Sequence, residues 1–190
     1  MTQLAIIDLD GVIADNTKRF EKAEEAKQAF LAECRAEPIV IDDDRFKRAK
    51  EATNLYWQTV FTPDLVALDT LIEGAGEAIE MIEKQYDVIY LTSRPETMRL
   101  ATHEWLWHYS LSGPRLIMKP PAAQYVKTVT WKALTIQMLV SLFEASEVLI
   151  VDDEGANLAE LQKYDISNMR LCSSLAEVVK PVEKTEDNLF

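Results

Sequence analysis

Runs of apolar residues closed by polar clusters recur along the chain at Leu4-Ala5-Ile6-Ile7, Val88-Ile89-Tyr90-Leu91, Leu116-Ile117-Met118 and Val148-Leu149-Ile150-Val151. Each run is short and unbroken by polar residues, which predicts a strand buried on both faces. Between them the apolar positions switch to a helical period. Ala75, Ala78, Ile79 and Ile82 share one face, as do Ala133, Ile136, Val140 and Phe143. Strands alternating with helices predict an α/β fold with a doubly wound, Rossmann-like parallel sheet.

The stretch 16–69 breaks this rhythm. Phe20, Ala23 and Phe30 suggest one amphipathic helix, and Phe46, Ala49, Thr53, Tyr56 and Val60 suggest a second, with no convincing strand. That is too long for an ordinary connection after a first strand. The predicted organisation is therefore a catalytic core of residues 1–15 and 70–180, interrupted by a helical insert or small cap at 16–69. A polar, acidic tail at 181–190 has no periodicity and is expected to be flexible.

Composition narrows the functional classes. At 190 residues the chain has room for one well-buried core but not for two full-sized domains. With 32 acidic against 20 basic side chains, its formal net charge of −12 opposes nonspecific binding to a phosphate backbone. No apolar run reaches membrane-spanning length, and the N-terminus leads directly into a strand, so a cytoplasmic protein with no membrane partner is expected. Cys34 and Cys172 lie far apart without metal-ligand spacing and are expected to be reduced, buried thiols. Trp105, Trp107 and Tyr109, with His103 and His108, are spread around a helix and are expected to pack the core and its rim.

Candidate chemistry gathers at the strand ends. The first strand runs into Asp8-Leu9-Asp10-Gly11, and the last long one into Asp152-Asp153-Glu154-Gly155. In an open parallel sheet ligands bind at the carboxyl ends of strands. Two acidic clusters on neighbouring strands would repel each other unless a cation joined them, and hard oxygen donors favour Mg²⁺. The metal candidates are Asp8, Asp10, Asp152 and Asp153; helix capping is the plainer reading of Asp153. Thr92-Ser93-Arg94 ends the second strand ahead of Pro95, and these residues are candidates for binding a substrate phosphate at a helix start. A cation is also needed to balance the carboxylates. Lys132 is the first candidate and Lys119 its rival.

Taken in this order, the four elements resemble the four motifs of haloacid dehalogenase (HAD) superfamily phosphatases, over a match from Leu4 to roughly Leu171. The resemblance implies that Asp8 is a nucleophile forming an aspartyl-phosphate and that Asp10 is the general acid and base. It further implies that Thr92 binds the phosphoryl group, that Lys132 neutralises it, and that Asp152 and Asp153 complete an Mg²⁺ site to which Asp10 adds its carbonyl. The nearest likeness in motifs is to short phosphatases that include the 3′-phosphatase domain of polynucleotide kinase. It rests on the Thr92-Ser93-Arg94 strand end, the Leu116-Ile117-Met118-Lys119 strand and the spacing from Lys132 to Asp152. The chain departs from that group in carrying Lys119 where an arginine is usual, and in its long insert.

The expected activity is Mg²⁺-dependent hydrolysis of a small phosphorylated metabolite or nucleotide, with a nucleic-acid 3′ end as the alternative substrate. Arg94, Arg99, Arg115, Lys119 and Lys127 are candidates for a small basic rim, against the reading that they are ordinary solvated charges. A non-catalytic phospho-signalling receiver, or a silent binding protein, is the alternative of another class. Motif order speaks against the receiver, which carries its acidic pair on the first strand and its phosphorylated Asp on the third.

Overall fold

The computed structural model describes residues 2–36, 42–164, 166 and 168–179. The predicted tail at 181–190 lies outside the described residues.

Five parallel strands form the central sheet: β1 (Thr2–Ile7), β4 (Asp87–Pro95), β5 (Arg115–Lys119), β6 (Ala145–Val151) and β7 (Met169–Cys172). Their spatial order is β5-β4-β1-β6-β7, which puts β1 at the centre. Ile7 lies beside Tyr90 on one side and Val151 on the other. The apolar runs are buried on both faces because alternate residues serve two cores. Ala5, Ile7, Val88, Tyr90, Leu149 and Val151 pack with α3 (Ala75–Glu83), α4 (Arg99–His108) and α7 (Leu175–Val179). Leu4, Ile6, Ile89, Leu91, Val148 and Ile150 pack instead with α5 (Thr128–Leu142) and α6 (Gly155–Leu161). This is the doubly wound sheet that the alternation predicts.

The stretch after the first strand holds α1 (Thr17–Ala36) and α2 (Asp42–Val60), which pack on each other, followed by a 3-10 turn at Pro63–Leu68. Buried Ala23 and Ala52 supply the small side chains that let helices approach closely. Phe46, placed on the buried face by its periodicity, is instead 81% exposed, and Ala52 and Val60 carry that face. The segment leaves and returns through a two-residue antiparallel ladder, β2 (Ala14–Asp15) with β3 (Thr70–Leu71). Strands of two residues are too short to leave an alternating signal, so they were not predicted, and the four-residue β7 was missed as well.

Near the site, β4 runs straight through Pro95, and α4 begins only at Arg99 after a 3-10 turn at Glu96–Met98. The helix start expected beside Thr92 and Ser93 is therefore strand. Trp105 is buried and donates its indole N–H to the Asp69 carbonyl at 2.9 Å, while Trp107 is exposed, consistent with core and rim packing. Cys172 is a buried free thiol; Cys34 is also free but only partly buried. Among the described residues, no helix is long and apolar enough to cross a membrane.

Candidate active site

Asp8 and Asp10 follow β1 on a tight turn. Gly11 N–H donates to the Ala14 carbonyl, and the Ile13 and Ala14 N–H groups both return to Leu9 O. Gly11 has φ of 80°, and a Cβ there would run into the Asp153 carboxylate. This position requires glycine twice over, for its backbone angle and for its closeness to an acidic side chain.

Lys132, in the second turn of α5, reaches across the strand ends. Its Nζ donates to Asp8 Oδ2 at 2.6 Å and to Asp152 Oδ2 at 2.7 Å, and all three residues are buried. The other Asp8 oxygen accepts the Leu9 N–H at 2.8 Å. Asp152 also accepts from the Glu154 N–H and from Asn157 Nδ2. The helix that follows has no side-chain cap, so neither Asp153 nor Asp152 caps it, and Asp152 instead ties the strand end to the Asn157 amide. Carboxylate oxygens of Asp8, Asp152 and Asp153 lie within 4.8 Å of one another. Three carboxylates against one ammonium leave a partly buried site two charges negative. Burial pushes the Asp8 carboxyl up, Lys132 pulls it back, and Asp152 and Asp10 raise it again, so that it stands at about 7. A hard divalent cation fits this donor set and would relieve its excess charge.

Asp10 faces away from that cluster, toward two guanidinium groups. Arg94 donates to it through Nε at 3.0 Å and Nη2 at 2.6 Å, and Arg19 Nη2 from α1 donates at 2.5 Å. Both arginines also hold Asp69, Arg19 at 3.0 Å and Arg94 at 2.7 Å. Two arginines and two aspartates make a neutral quartet, which is how these charges can be buried. Burial alone would raise the Asp10 carboxyl, but Arg94 and then Arg19 outweigh it and hold the group at about 2. Asp69 moves the other way, because burial outweighs the same two arginines.

This arrangement corrects the reading of Arg94 as a phosphate ligand. Its guanidinium is fully buried and committed to Asp10 and Asp69. Asp10 likewise stands apart from the carboxylates that could share an ion, so its side chain is not grouped with the metal candidates. Ser93 lines the cavity above the acids, whereas Thr92 is fully buried with its Oγ1 accepting the Arg94 N–H at 3.2 Å. Lys119 donates to the Val126 carbonyl and to Thr128 Oγ1, away from Asp8. The predicted basic rim does not assemble: Arg99 pairs with Glu96, and Arg115, at the opposite end of its strand, lies over the Phe143 ring.

Arg19, Asp69 and Asn157 were missed by sequence reasoning. Asn157 stands in the first turn of α6 just after the second acidic cluster, a position from which an amide can turn back to the strand end. No comparable signal marks Arg19 or Asp69. The cavity over the acids measures about 590 Å³ and is roofed by Phe20 of α1, Trp57 of α2 and Phe61 just beyond it.

No protein-family model matches the chain, and no curated protein matches it in sequence. Solved structures do resemble it. A haloacid dehalogenase-like family hydrolase from Streptococcus pneumoniae superposes with a TM-score of 0.61 at 13% identity, covering 93% of this chain and 96% of that one. A HAD-superfamily hydrolase of subfamily IA from Geobacter sulfurreducens gives 0.57 at 18% identity, over 94% and 98% of the two chains. A protein from Clostridium acetobutylicum described as a predicted phosphatase gives 0.56 at 13%, over 90% and 83%. The first two of these structural neighbours are hydrolases of the haloacid dehalogenase superfamily and the third is described as a phosphatase, and this chain has their fold.

Proposed function

We propose that the chain is a HAD-superfamily phosphohydrolase that cleaves a phosphate monoester of a small cytoplasmic metabolite or nucleotide, with Asp8 as nucleophile. The observation that carries this reading is the Asp8–Lys132–Asp152 cluster at the centre of the sheet, with Asp153 within reach of the same ion. Asp8, Asp152 and Asp153 would hold Mg²⁺, which when bound supplies positive charge to the phosphoryl oxygens and to the crowded carboxylates. Lys132 fixes the Asp8 carboxylate through Oδ2 and adds a second positive charge at the attacking group.

In the first half-reaction an Asp8 oxygen bonds to phosphorus as the bond to the leaving oxygen breaks. Water then attacks phosphorus, the Asp8–phosphorus bond breaks, and phosphate departs. Asp10 lines the same cavity, but two arginines occupy its oxygens and hold it ionised, so its proton chemistry requires one of them to let go, and Arg19, carried by α1, is the one whose helix belongs to the insert. Released in this way and protonated, Asp10 gives its proton to the leaving oxygen in the first half and takes one back from the attacking water in the second. In this reading the insert at 16–69 is a cap that excludes water from the cavity.

Phosphate release from an aryl phosphate, measured with Mg²⁺ and again with chelator, tests the assignment. Asp8→Asn should lower kcat by at least about a thousandfold, or ~4 kcal/mol of barrier. Retention of a tenth of the wild-type rate would show that Asp8 is not the nucleophile.

A further inference from the structure

A second cavity of about 640 Å³ adjoins the acidic one, and Trp57 and Phe61 line both. The rest of its lining is Asn54, Gln58, Gln124 and Tyr125. None of these six residues carries a charge, although the chain as a whole has a formal net charge of −12. Two of the aromatic rings present large uncovered faces: Trp57 is 46% and Tyr125 91% exposed.

The Trp57 ring is held by its neighbours. It lies near parallel to Phe61, with 5.8 Å between ring centroids and 21° between planes, and meets the Phe20 ring edge-on at 6.4 Å. A fixed aromatic face loses little freedom when a flat ring stacks on it. The three amides offer both donors and acceptors, as the edge of a heterocycle requires. A leaving group rich in hydroxyls could use those amides and the Tyr125 hydroxyl but would leave the ring faces unused. Among the described residues, no charged side chain lines this outer cavity, so they offer no cation to a second phosphate.

We propose that the outer cavity binds the base of a nucleoside monophosphate whose phosphate sits at Asp8. This rests on the phosphohydrolase reading and narrows its substrate class to a single nucleotide carrying one phosphate group.

The test compares kcat/KM for a deoxynucleoside monophosphate, glycerol 2-phosphate, a hexose phosphate and a 3′-phosphorylated oligonucleotide, using wild type, Trp57→Ala and Trp57→Phe. Wild type should prefer the mononucleotide over the glycerol and hexose esters. Trp57→Ala should cut that preference about tenfold, within the range of base–aromatic stacking, and Trp57→Phe should restore most of it. The proposal is overturned if wild type favours a polyol phosphate, if Trp57→Ala lowers every substrate by the same factor, or if the oligonucleotide is preferred a hundredfold with steep salt dependence. A separate readout is quenching of tryptophan fluorescence by the mononucleotide in the Asp8→Asn protein, expected to fall sharply when Trp57→Phe is added. Should no monoester be hydrolysed, the phosphohydrolase reading fails and quenching alone decides. Quenching that depends on Trp57 keeps the base site; its absence removes it.

Discussion

Asp8 and Asp10 stand two residues apart on one turn, yet the fold places them in opposite electrostatic settings. Asp8 shares a single lysine with Asp152 and lies close to Asp153, so negative charge is in excess and its carboxyl rises to about 7. Asp10 is gripped by two arginines and falls to about 2. Sequence proximity therefore says little about the state of a carboxylate. What decides it is which neighbouring elements send charge toward it: α5 on one side, β4 and α1 on the other. The undercompensated side carries negative charge that a cation would relieve. The compensated side is built to keep its charge without help.

The sharpest way to break this contrast is to remove the lysine that the acidic side depends on. Lys132→Met should reduce Mg²⁺-dependent kcat by about a thousandfold, or ~4 kcal/mol, because Asp8 and Asp152 then face each other without it. Lys119→Met should stay within about threefold of wild type, since that side chain contacts Val126 and Thr128 instead. A deeper defect in the Lys119 variant would reverse the assignment.

On the arginine side the larger effect is on stability. Arg94→Leu leaves Asp69 buried with only Arg19 and should cost about 3 kcal/mol in urea unfolding, the range seen when one partner of a buried pair is removed. A loss under about 1 kcal/mol would mean that water or a shift of α1 compensates the quartet.

The smallest effect, and the most direct test of the difference, comes from neutralising each aspartate in chelator-treated protein. The Asp10 carboxyl is depressed from 3.8 to about 2, so its charge stabilises the fold above the unfolded value and that contribution fades as pH falls toward 2. Asp10→Asn should thus cost about 2 kcal/mol near neutrality and progressively less in acid. Asp8 is shifted upward, so its charge opposes folding, and Asp8→Asn should raise the urea midpoint. Midpoints that move in the same direction would erase the distinction between the two sides.

Much of the core was readable in advance because strands buried on both faces announce themselves as unbroken apolar runs. The central acids were readable because glycine and aspartate punctuate the ends of those runs. Lys132, chosen by its spacing from Asp152, does join Asp8 to Asp152. Arg94 illustrates where such reading stops. A strand-end arginine beside a hydroxyl pair suggests an anion, but its actual partners are Asp10 and an aspartate that follows the 3-10 turn at 63–68, brought in by tertiary packing. Arg19 and Asp69 sit 50 residues apart and nothing in their local sequence links them. The face of α2 was misjudged at Phe46 for a related reason: small residues, not the largest apolar one, make its buried contacts.

The central position of β1 has a consequence for the order of assembly. Its partners lie at 87–90 on one side and 145–151 on the other, so the strand that leads into Asp8 is synthesised before either partner and is fully paired only when the second has emerged. Until residue 151 has emerged, one edge of β1 exposes unpaired backbone groups that could template pairing with another chain. Long-range parallel pairing of this kind is slow to nucleate. Asp152 arrives directly behind β6, so in a growing polypeptide the pairing that shields this edge also delivers the second acidic cluster, and a chain cut short before it would carry Asp8 without the partner that Lys132 bridges to.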